Sequence, residues 1–112
     1  MKLITAIIQP EVLEQVMKAV VRHGVGGMTI SEVSGYGRQR GHVEVYRGEE
    51  YTIDFITKVR LEVLVEDEDA EALTGVIVQS ARTGQVGDGK VWIVPVDTVV
   101  RVRTGETNDD AL

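Results

Sequence analysis

Three short stretches of this chain combine glycine with cations, a pairing suited to an anion such as phosphate. The first is Gly35-Tyr36-Gly37-Arg38-Gln39-Arg40-Gly41. Glycines let backbone N–H groups approach an anion, and arginine can grip phosphate or carboxylate oxygens in two places. No helical pattern follows, so neither the Walker nor the Rossmann arrangement applies. A flexible hairpin shoulder would use the same residues. The second stretch is Thr83-Gly84-Gln85-Val86-Gly87-Asp88-Gly89-Lys90. Gly87-Asp88-Gly89 can turn tightly with its N–H groups outward, and Lys90 adds a positive charge. An ordinary β-turn is the plain alternative. The third is the pair Arg101 and Arg103, read on a short strand over 98–103. Residues two apart on a strand share a side, so these cations repel unless an anion lies between them. A solvated edge strand carries such charges too. Together the three point to a phosphate-rich ligand.

Other chemistries are poorly served. His23 ends a helical pattern and His42 sits in a polar stretch, without metal-ligand spacing between them. Ser31, Ser34 and Ser80 have no evident His/Asp partners, so no activated nucleophile or acid–base pair stands out. Cysteine is absent. That removes thiol catalysis, disulfides and Cys-based zinc sites. Tyr46 and Tyr51 lie in the polar stretch 38–56, where they offer a partner contact, a hydroxyl for modification, or simply two adhesive aromatics. A structureless segment of that length is uncommon inside a compact domain unless it is functional or disordered.

The elements that must position these residues follow from periodicity. Lys2 to Ile8 is β-prone and ends near Pro10. Leu13, Val16, Met17 and Val20 form one helical stripe, with Pro10 and Glu11 in its first turn and Gly24 at its end. Met28 to Ser34 alternates loosely. Val59, Leu61, Val63 and Val65 share one face of a strand. Asp67 is placed to cap a second helix with the stripe Ala70, Leu73, Ile77, Ala81. A strand over 91–96 follows, then the short one, then a polar tail over 105–112 expected to be mobile. Two βαβ units imply an α+β, ferredoxin-like sandwich: a four-stranded antiparallel sheet with both helices on one face. The other face (Ile7, Leu64, Val94) is apolar enough to want cover from neighbouring subunits.

At 112 residues the chain is one domain. Its 18 acidic and 12 basic residues give a charge of −6, which argues against general nucleic-acid binding. Many acids gather at 66–71 and 106–110, leaving the cations near glycines and strand ends. The apolar run at the N-terminus is too short for a signal peptide, and no stretch approaches the ~20 apolar residues of a membrane span. A cytosolic protein is expected.

Four separated motifs, in order, resemble the PII signal transduction proteins, the nitrogen-regulatory family. They are Gly35-Tyr36-Gly37-Arg38-Gln39; Tyr46-Arg47-Gly48-Glu49-Glu50-Tyr51 with Asp54-Phe55; Thr83-Gly84 through Gly87-Asp88-Gly89-Lys90-Val91-Trp92; and Val100-Arg101-Val102-Arg103-Thr104-Gly105-Glu106. The likeness runs nearly end to end, and the first motif's wording is most similar to actinobacterial members. It implies a non-enzymatic homotrimer with nucleotide clefts between subunits and a projecting T-loop at about 37–56. By resemblance, ATP or ADP would meet Gly37, Arg38, Gly87, Gly89, Lys90, Arg101 and Arg103 at its phosphates, with Asp88 also among the nucleotide-binding residues and Thr29, Glu62 and Leu64 near the nucleoside. Gln39 would coordinate Mg²⁺ beside ATP, 2-oxoglutarate would chelate that ion, and Lys58 would pair with one of its carboxylates. Tyr51 matches the tyrosine nucleotidylated in many members. Arg47 matches the loop-tip arginine that enters ammonium transporters, and nitrogen-metabolism enzymes are the other partners implied. Departures from the family's pattern are Glu49 before Glu50-Tyr51, Thr57 in place of the usual proline, Leu64 for valine, Gln9 for lysine and Glu11 for an aromatic residue. They leave open a diverged paralogue that regulates a different transporter or enzyme. A slow ATPase using the same cleft is a further alternative.

Overall fold

A computed structural model describes residues 1–36, 43–46, 50–53 and 55–112, with backbone only for 43–46 and 50–53. The strands are β1 (Lys2–Ile8), β2 (Thr29–Gly35), β3 (Val43–Tyr46), β4 (Glu50–Ile53), β5 (Ile56–Val65) and β6 (Lys90–Pro95); the helices are α1 (Leu13–His23) and α2 (Ala70–Ala81). The main sheet has the order β2-β5-β1-β6, and every neighbouring pair is antiparallel. This is the ferredoxin-like α+β arrangement.

Alternation decides which face is buried. Ile4, Ala6 and Ile8 on β1 and Val59, Leu61, Val63 and Val65 on β5 point to one side. Val16 and Val20 of α1 and Leu73 and Ile77 of α2 close over them and are fully buried. Each such aliphatic side chain contributes roughly 1.5–3 kcal/mol by leaving water. On the opposite face Leu64, Trp92 and Val94 stay exposed.

Helix ends follow local chemistry. Gly24 takes φ 111°, the left-handed conformation that lets its N–H close onto Val20 and Val21. A 3₁₀ turn at Pro10–Val12 leads into α1, and another at Asp67–Asp69 leads into α2. Asp67 is therefore not the cap expected of it. It lies 2.7 Å from the Met1 nitrogen, and Asp69 instead bonds His23 at 2.8 Å, tying the end of α1 to the start of α2. Long-range partners outcompeted the local N–H groups. At Gly75, inside α2, an added Cβ would meet nothing within 4 Å. Gly75→Ala is expected to stabilise the fold by about 1 kcal/mol through backbone entropy, read as a higher denaturant midpoint.

Two further expectations change. The polar stretch is not without regular structure: β3 pairs with β4, Val43 opposite Ile53 and Tyr46 opposite Glu50. The alternation Val43, Val45 was the available signal. The strand expected over 98–103 is absent. Val100 makes an isolated bridge to Thr107, and the chain turns back between them: Gly105 N–H donates to Arg101 O and Arg101 N–H to Glu106 O, both at 2.8 Å. Gly105, at φ 75°, makes that turn easy and ends any strand. Arg101 and Arg103 thus do not share a strand face. The tail continues into a 3₁₀ turn at Asn108–Ala111.

Candidate functional site

The segment joining α2 to β6 is held at both ends. The Asp88 carboxylate accepts the N–H groups of Thr83 and Gly84, each at 2.8 Å, and the Thr83 hydroxyl. These donors, the Thr83 hydroxyl first, hold the Asp88 pKa below the usual carboxylate range. From the far side, Lys58 on β5 donates its Nζ to Gly87 O at 2.7 Å. Lys58 is buried to 8% exposure. Burial pushes its pKa down, while Glu11 and Asp88 pull it back up. Gly89, at φ 99°, lies on the backbone of β1, where a Cβ would stand 1.7 Å from Ile7 O. Lys90 follows at once, opposite Ile7 in the ladder.

A second feature is an open cleft of about 1300 Å³ whose lining includes Thr29, Glu62, Leu64 and Arg101. The glycine-rich turn after α1 and the residues Ala111 and Leu112 complete its walls. The Thr5 hydroxyl donates to Glu62 Oε2 at 3.0 Å and orients that carboxylate. The cleft's charges are mainly negative: Glu62, Glu66, Asp69 and Asp109, against Arg101. Arg101 is itself engaged, with Nη1 2.8 Å from Glu106 Oε1 and Nη2 3.2 Å from Leu112 O. Such a cleft suits the uncharged end of a ligand. Away from Arg101, its carboxylates would repel a phosphate chain.

Lys58 and Glu62 lie four residues apart on one face of β5, roughly 13 Å along the strand. The glycine-rich segment and the cleft thus occupy separate positions on one chain.

The family described as "Nitrogen regulatory protein P-II" matches residues 1–106. The chain belongs to the PII family. Proteins named Nitrogen regulatory protein P-II are similar to it over the full 112 residues of both chains: one from Microchaete diplosiphon at 50% identity, one from Azospirillum brasilense at 49% and one from Synechocystis sp. at 48%. They are named as regulators, not as enzymes.

In this PII protein the expected site residues fall into groups. Thr29, Glu62, Leu64 and Arg101 come together at the cleft. Gly87, Asp88, Gly89 and Lys90 come together with Lys58. Arg103 is exposed in the turn after Arg101. Tyr51 sits in β4 opposite Val45. Gly37, Arg38, Gln39 and Arg47 lie outside the described residues. Sequence reasoning missed Thr5 and Glu106. Thr5 lies in a strand of otherwise apolar side chains between Leu3 and Ile8, and Glu106 read as tail. It also named Asp88 among the nucleotide-binding residues; in the structure its carboxylate accepts hydrogen bonds from Thr83 and Gly84 of its own loop. Among the described residues, no helix is long and apolar enough to cross a membrane.

Proposed function

We propose that this PII protein is a homotrimeric sensor of ATP, ADP and 2-oxoglutarate that acts on partner proteins through its T-loop at 37–56. One observation carries the reading: the acid-rich cleft and the glycine segment with Lys90 are apart on a single chain. A nucleotide needs both. Setting the cleft of one subunit against the glycine segment of the next supplies both at once. The exposed Leu64, Trp92 and Val94 favour such association, since a neighbour would remove them from water.

In that seam Thr29, Glu62 and Leu64 face the nucleoside. The phosphates meet Gly37, Arg38, Gly87, Gly89, Lys90, Arg101 and Arg103, with Arg101 exchanging Glu106 for a phosphate oxygen. Mg²⁺ beside ATP takes most of its ligands from phosphates and water, so few protein donors are required. Among the described residues, no group of three or more His, Cys, Asp or Glu is placed to hold a metal ion. Gln39 is the protein donor in this reading. Lys58, which donates to Gly87 O, is the cation that meets a 2-oxoglutarate carboxylate in this reading. ADP lacks the γ-phosphate that completes the site, and the difference in contacts shifts the T-loop between conformations. Ammonium transporters and nitrogen-metabolism enzymes read that loop, with Arg47 at its tip and Tyr51 available for nucleotidylation. The protein works in the cytoplasm and reaches the membrane only through a transporter.

Calorimetric titration of 2-oxoglutarate tests this. Binding should be about 5–150-fold tighter with Mg²⁺–ATP than with ADP, the usual range of coupling between sites. Equal binding with and without ATP rejects the reading. A diverged paralogue with another target is the second reading. Its support is Thr57, which pairs with Ser34 inside β5. A proline there would supply no backbone N–H, so the substitution changes what the base of the T-loop can bond. Pull-downs with and without ADP separate the two: capture of a transporter or nitrogen-metabolism enzyme favours the first.

A further inference from the structure

We infer that Asp88 is a positioning residue: with Thr83 it fixes the glycine segment so that backbone N–H groups and Lys90 face the nucleotide's phosphates, and it makes no ligand contact of its own. The inference rests on the nucleotide reading above and assigns this residue a task within it.

The C-terminal half of the segment is held by the sheet. Lys58 grips Gly87 O, Gly89 lies on Ile7, and Lys90 enters the β6 ladder. The N-terminal half has no such support. Thr83, Gly84 and Gln85 are exposed, as is Val86 at 69%. What shapes them is the Asp88 carboxylate, through both N–H groups and the hydroxyl. The Thr83 oxygen in turn accepts the Gln85 N–H at 3.3 Å, and the Asp88 N–H returns to Gln85 O at 3.3 Å. Five consecutive residues are thereby folded around one side chain that bonds its own backbone. The same arrangement explains why an acid is tolerated here. A bare carboxylate beside a triphosphate is repulsive. One whose two oxygens already accept three hydrogen bonds keeps its charge turned inward.

Calorimetry of Mg²⁺–ATP with wild type, Asp88→Ala, Thr83→Val, the double variant and Asp88→Asn tests this. Each of the first two should weaken binding about tenfold, and the double about tenfold again rather than a hundredfold, because both remove one shared cap. Asp88→Asn should stay within about threefold of wild type, since its oxygen still accepts the two N–H groups and its amide can donate to Thr83 Oγ1. Losses that multiply, Asp88→Ala binding like wild type, or Asp88→Asn as weak as Asp88→Ala would each overturn the assignment. If Asp88→Ala does not fold, Asp88→Asn alone decides: strong loss overturns, near-wild-type binding supports. Amide exchange at Thr83 and Gly84 reads the cap without ligand. It should quicken in Asp88→Ala, and unchanged exchange refutes the cap whatever happens to ATP. Wild-type protein that binds no ATP fails the nucleotide reading itself, a separate result visible before any variant is compared.

Discussion

Gly89→Ala should destabilise the fold and abolish the site together. The new methyl would lie 1.7 Å from Ile7 O and 2.8 Å from Ile7 C, and both are backbone atoms of the central strand β1. No rotamer change relieves that contact. The residue also sits at φ 99°, which an L side chain rarely adopts. Left-handed strain of roughly 1–2 kcal/mol and overpacking of roughly 1–3 kcal/mol sum to about 2–5 kcal/mol. Against the total stability of a small domain this is a large fraction. Chemical denaturation should show the unfolding free energy falling by that amount. An unfolding free energy within about 0.5 kcal/mol of wild type (the spread of neutral surface changes) would mean that the segment does not rest on β1. Because Lys90 follows directly, any shift that spares the fold displaces its ammonium, so ATP binding should fall even in variant protein that remains folded.

Lys90→Ala and Arg103→Ala should separate binding from stability. Both side chains are exposed, and neither belongs to the buried core. Each change should move stability by less than about 0.5 kcal/mol. Each charged hydrogen bond to phosphate contributes about 1.5–3 kcal/mol, so each variant should bind ATP roughly 10–100-fold more weakly. The loss should shrink for adenosine, which has no phosphate. Unchanged ATP affinity in both variants would remove the phosphate site from these residues. High salt should weaken wild-type binding more than that of the variants, as fewer charges are then in play.

The two expected results rely on different kinds of information. The core was legible from periodicity. The stripe Leu13, Val16, Met17, Val20 packs against the sheet, as does Ala70, Leu73, Ile77, Ala81. Val59, Leu61, Val63 and Val65 turn to one side of β5 as their alternation requires. These features depend on neighbours three, four or two residues away, and helix and strand geometry alone turns such spacing into a face. The glycine and cation motifs, in their order, were equally legible, and they led to the PII family.

Other features depend on which distant segments meet. His23 reaches Asp69 across 46 residues, Lys58 reaches Gly87 across 29, and Thr5 reaches Glu62 across 57. No spacing rule anticipates such pairs, because the sheet order β2-β5-β1-β6 creates them. Asp67 looked like a cap, and Arg101 and Arg103 looked like strand neighbours. Those expectations failed where a long-range partner or a glycine turn offered the backbone a better arrangement. Composition and pattern thus set most of the elements and the buried face, and they motivated the phosphate reading. Folding in three dimensions settled that Asp88 serves its own loop, that Arg101 is matched with Glu106, and that the acid-lined cleft stands apart from the glycine segment. The reason is range: side-chain periodicity encodes contacts within a turn or a strand, while the meeting of separate strands is encoded only in how all of them bury one shared core.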